Sequence, residues 1–105
     1  VMHQEPEMKF SLNFLDVEAK EFCERVVSEM VTLFSITEEE AITRVNCHWA
    51  HIESIGGQEE LIYHEDERFW AQDIYYGSDS YWWLEENVRS EKGLPNLVPK
   101  GVNNA

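Results

Sequence analysis

Asp16–Phe34, DVEAKEFCERVVSEMVTLF, decides the fold. Within it Ala19, Phe22, Cys23, Val26, Val27, Met30, Val31 and Phe34 recur at three- and four-residue steps. That is the stripe of an amphipathic helix facing a core. Lys20, Glu21, Glu24, Arg25 and Glu29 fall mainly on the other side. Asp16 can accept the free N–H groups of a first turn, and Glu18 suits the positive end of the helix dipole. The spacing predicts a helix over 16–34.

Working outward, Thr37-Glu38-Glu39-Glu40 is a capping box, with Ile36 and Ala41 placed as a hydrophobic staple. The stripe Ala41, Ile42, Val45, Trp49, Ile52 predicts a second helix over 38–54, closed by Gly56-Gly57. Residues 58–65 hold Leu61, Ile62 and Tyr63, an apolar run too short to have a readable period. Asp66 reads as the cap of a third helix with Phe69, Trp70, Asp73 and Ile74 on one face and Gly77 at its end. Tyr81, Trp82, Leu84, Glu85 and Val88 predict a last helix to about Ser90, stopped by Gly93 and Pro95. Residues 1–9 read as a loose arm, and 94–105, with Pro95 and Pro99, as an extended tail. The expectation is an all-α, single-domain bundle of four to five short helices. The alternative is an α+β fold in which 60–64 and 73–76 pair as a hairpin.

The chain has 105 residues and 12.4 kDa, enough for one core without staples. Hydrophobic residues make up 43%, which excludes a disordered acidic tail. Eight basic against 21 acidic residues give a net charge of −13. That argues against binding nucleic acid, whose phosphates call for Lys and Arg, and against an anionic membrane surface. It favours a basic partner. No apolar run approaches a membrane span. Val1 to Glu7 lacks the order of a secretory signal, and Cys23 and Cys47 make no disulfide framework. The expectation is a cytoplasmic protein with two buried, reduced thiols.

His48 and His51 lie three apart, and His64 follows in His64-Glu65-Asp66-Glu67. These are weak metal-ligand candidates, because no HExxH or paired Glu-x-x-His spacing accompanies them. No nucleophile elbow, P-loop or dinucleotide turn is present. Cys47 and His48, being adjacent on a helix, point about 100° apart and make no dyad. The chain is therefore read as a non-enzyme without a cofactor.

From Glu53 to Glu91 there are eleven acids against two bases, Arg68 and Arg89. The same stretch holds all four tyrosines and three of the four tryptophans. Tyrosine ringed by carboxylates suits a surface that docks onto a basic protein. Phe69, Trp70 and Trp82 are expected in the core. Tyr75 and Tyr76, being consecutive, cannot share one direction, so one should face outward. Tyr81-Trp82-Trp83 is a candidate seam for a homodimer.

Glu18-Ala19-Lys20-Glu21-Phe22, the Glu38-Glu39-Glu40 start of the second helix and Gly57-Gln58-Glu59-Glu60-Leu61-Ile62-Tyr63 carry a resemblance. The layout over about residues 15–65 resembles the small acidic immunity proteins that neutralise bacterial nuclease toxins, the colicin-type DNase immunity proteins in particular. His64 stands where that family has a second tyrosine, and Arg68–Trp83 has no counterpart in it. The resemblance implies a four-helix bundle that covers a toxin's basic surface. It implies Glu60 and Tyr63 as contact residues and acids such as Glu38 as specificity determinants.

The expected function is occlusion of a basic toxin domain through Glu38, Glu59, Glu60, Tyr63, Glu65, Asp66, Tyr75 and Tyr76. The alternatives are an acidic adaptor or DNA mimic and, after those, a small metal-dependent enzyme.

Overall fold

The computed structural model describes residues 8–56 and 65–101. The chain is all-α: α1 Val17–Phe34, α2 Glu38–His48, α3 Glu67–Tyr76 and α4 Glu86–Glu91, with a 3₁₀ turn at Ser78–Ser80. Among the described residues there is no strand, only an isolated parallel bridge between Phe14 and Ile55. Residues 73–76 lie within α3, so they do not pair as a hairpin with 60–64, a segment outside the described residues.

α1 is the central element, packed by α2 and α3. Its stripe is the core: Ala19, Phe22, Cys23, Val26, Val27 and Met30 are buried. Ala41 and Val45 of α2 and Ala71 and Ile74 of α3 close on it, with Trp49 and Ile55. Asp16 caps α1 through Ala19 N–H at 2.8 Å, Thr37 caps α2 through Glu40 N–H at 3.0 Å, and Asp66 caps α3 through Phe69 N–H at 2.8 Å. The first and third helices thus begin and end within a residue of where caps and stripes put them.

Two boundaries differ from expectation, each because of a partner distant in sequence. α2 ends at His48 rather than at 54. Beyond it the backbone tightens, with Ala50 N–H on the Cys47 carbonyl and Ile52 N–H on that of Trp49. The turn delivers Ile55 to the segment before α1: Ile55 N–H donates to Asn13 O at 2.8 Å, and Leu15 N–H to Ile55 O at 2.7 Å. Gly56 (φ 125°) completes this approach. A Cβ there would sit 3.1 Å from Asp16 Oδ1 and 3.2 Å from Ala19 Cβ. The segment before α1 is itself part of the packing. Met8, Phe10, Leu12 and Phe14 lie against the core, an alternation of apolar and polar residues typical of an extended chain.

The last helix begins at Glu86 rather than near Tyr81, which adopts a left-handed conformation (φ 54°). Buried Arg89 explains the difference. Its Nη1 donates to the carbonyls of Ser80 and Tyr81, each at 2.7 Å, and its Nη2 to that of Pro95 at 2.6 Å. In a helix over 81–85 the Tyr81 carbonyl would point along the axis to the Glu85 N–H instead. The tail then crosses the bundle: Lys100 N–H donates to Tyr75 O at 2.8 Å, and Arg44 Nη1 to Lys100 O at 2.7 Å. Of the two cysteines, Cys23 is buried. Cys47 is exposed, against the expectation of two buried thiols, because its side of α2 faces solvent.

Candidate functional site

α3 brings Phe69 and Trp70 beside Asp73, which lies four and three residues after them. The end of α2 brings His48 and Trp49 against it, and the loop after the 3₁₀ turn adds Trp82 and Trp83. The rings meet in an unbroken series of tilted and edge-on contacts. Trp49 and Trp70 are 5.4 Å apart between centroids, Trp70 and Phe69 5.2 Å, Phe69 and Trp82 5.3 Å, and Trp82 and Trp83 5.7 Å. Interplanar angles of 63–87° suit the positive edge of one ring against the negative face of the next.

Asp73 is buried beneath this belt, 5% exposed. Trp82 Nε1–H donates to its Oδ1 at 2.9 Å and Ser78 Oγ–H to its Oδ2 at 2.7 Å. His48 Nε2 stands 3.9 Å from Oδ2, beyond hydrogen-bond range. Burial pushes the His48 imidazole below its usual range. The negative charge of Asp73 pulls the other way, and the charges of Lys100 and His51 add to the lowering. His48 is therefore neutral at pH 7 and leaves Asp73 without a counter-charge from that side.

Of these groups, all but Trp82 line an open groove of about 480 Å³. His51 and Trp83 stand at its rim, both exposed. Trp83 also borders a second hollow, of about 560 Å³, with Tyr81, Leu84, Lys92 and Leu94.

The predicted contact residues divide into three groups. Glu38, Glu65 and Asp66 are exposed, Glu38 opening α2 and the other two leading into α3. Glu59, Glu60 and Tyr63 lie outside the described residues. Tyr75 and Tyr76 are half-buried, and neither points freely into solvent. The Tyr75 ring stacks on Phe34 at 3.7 Å, with the Arg44 guanidinium 4.9 Å from its centroid, and Tyr76 meets Phe34 edge-on at 5.4 Å. Among the described residues the outward-facing aromatics are Tyr81 and Trp83 instead. Of the metal candidates, His48 and His51 share the groove and His64 lies outside the described residues. Among the described residues no three His, Cys, Asp or Glu side chains converge as a metal set.

Asp73, Ser78 and Arg89 were not singled out as a polar framework by sequence. Asp73 had a readable signal, since an acid inside an apolar stripe must find donors. Ser78 and Arg89 had none. Among the described residues no helix is long and apolar enough to cross a membrane. No known family, characterised protein or solved structure matches the chain.

Proposed function

We propose that the chain is an immunity- or antitoxin-like protein that docks onto a basic bacterial toxin domain and occludes its active surface. One observation carries this reading. Between Asp79 and Glu86, three acids (Asp79, Glu85, Glu86) and two large aromatics (Tyr81, Trp83) face solvent, with Lys92 the one cation lining the hollow beside those aromatics among the described residues. Trp83 is 52% and Tyr81 48% exposed, and their rings lie together, 5.5 Å between centroids, a paired aromatic surface of the kind a partner covers. Trp and Tyr are the residues that anchor interfaces, and the flanking acids supply complementarity to a basic surface. Glu65 and Asp66 add to the same charge, and the net −13 acts at longer range.

The mechanism is steric and electrostatic. Charge draws the two proteins together, and desolvated aromatic contacts hold them. The acids of this chain would occupy the place of the toxin's anionic substrate.

The test is co-expression with the product of the neighbouring gene. Growth should be arrested by that product alone and restored by this chain. The complex should form stoichiometrically, and its association rate should fall by about tenfold or more from low salt to ~0.5 M while dissociation changes less. An association rate independent of salt would remove the electrostatic half of the reading. Arrest unrelieved by this chain would remove the whole.

A further inference from the structure

The aromatic groove is a built feature that occlusion by surface charge leaves unused. Its walls are Trp70, Phe69 and Trp83, its floor is the Asp73 carboxylate, and among the described residues no Lys or Arg lines it. A carboxylate offers about four lone-pair positions. Among the described residues Trp82 and Ser78 take one each. His48, the remaining close neighbour, stays 3.9 Å away. Among the described residues no Lys or Arg hydrogen-bonds the Asp73 carboxylate beside the indole rings, and the charge of Lys100 reaches the groove only through His48. Aromatic faces and a part-used carboxylate are together the chemistry that recognises an organic cation.

We infer that this groove receives a cationic side chain, arginine above all, projecting from the basic partner. A guanidinium is flat enough to stack on Trp83 and is weakly hydrated, so entering an apolar cleft costs it less than it costs an ammonium. Its fork would bring a donor to Asp73 where His48 does not reach. The inference rests on the docking proposed above and names its chemical anchor: a basic partner residue inserted beside Trp83, rather than charge spread over a flat face.

The probe is N-acetyl-arginine methylamide, with the neutral isostere N-acetyl-citrulline methylamide as control, followed by the indole N–H resonances of the full chain. Arginine should give saturable shifts at Trp83 and Trp70, with affinity about tenfold above citrulline. Trp83→Ala, a change at an exposed position, should abolish the difference. Asp73→Asn, which keeps an oxygen for one of the present donors, should reduce it, with circular dichroism confirming the fold. Equal shifts from both probes, or shifts that survive Trp83→Ala, would overturn the inference. So would the absence of any saturable shift.

A second arm separates the two proposals. With the toxic partner in hand, Trp83→Ala should weaken the complex by about thirtyfold, as loss of an interface anchor does. If the native chain neutralises the partner and Trp83→Ala does so with unchanged affinity, docking stands and the anchor falls. If the native chain neutralises nothing, docking falls, and the amide probes still decide whether the groove takes a cation.

Discussion

Asp73 connects three parts of the chain: it sits on α3, accepts from the start of the 3₁₀ turn at Ser78 and accepts from Trp82 beyond it. Replacing it by Ala strands two donors and opens the groove floor. Asp73→Ala should cost about 2–4 kcal/mol in denaturant unfolding, more than removing an exposed acid such as Asp79. His48 gives a separate signature. Its folded pKa lies below the unfolded value of 6.5, mainly through burial. Between those two values the unfolded chain binds more protons, so stability rises with pH across the window. The contribution is complete above about pH 6.5 and is lost as pH falls through the folded value. The unfolding midpoint of the native chain should therefore drop relative to His48→Gln between pH 7.5 and pH 5.5. A gap between the two proteins that stays constant with pH would contradict this. At this scale the sequence disclosed residue types better than directions. Asp73 stood visibly inside an apolar stripe, whereas the outward turn of Trp83 and the inward turn of Tyr75 depend on a left-handed Tyr81 and on Phe34.

Among the elements, α1 and α3 were legible because every determinant is local. A polar cap and an apolar stripe lie within one segment of each, and Gly77 ends α3. Even so, α1 ends on Ser35 in the left-handed region (φ 55°), a position where glycine is usual, with its N–H on the Val31 carbonyl. Ser35→Gly should therefore be neutral to stabilising, by up to about 1 kcal/mol, as relief of that conformation offsets the freer unfolded chain. The end of α2 and the start of α4 were not legible, because remote partners set them. Ile55 is held by Asn13 and Leu15, and the 80–81 backbone by Arg89. Arg89→Met keeps much of the apolar stem but leaves three carbonyls without their donor. It should cost about 2–4 kcal/mol and make the chain after Leu94 an early site of limited proteolysis. Proteolysis that starts in the α1–α2 connection instead would show that Arg89 does not hold the tail.

For the whole molecule, the helical class followed from the spacing of apolar residues, and the acidic balance from a count. The groove did not follow from either. It is assembled from the end of α2, one side of α3 and the loop before α4, and its shape exists only once these meet. The exposed aromatics of the proposed docking surface are accordingly Tyr81 and Trp83 rather than half-buried Tyr75 and Tyr76, and Glu38, Glu65 and Asp66 are exposed. Charge alone would make this chain stick weakly to many basic proteins; a fixed aromatic anchor would confine tight binding to one. The most direct measurement is the activity of the purified toxic partner titrated with this chain at physiological ionic strength. Occlusion predicts inhibition that is complete at one equivalent and weakens as salt is raised. Full toxin activity in the presence of a tenfold excess would contradict it.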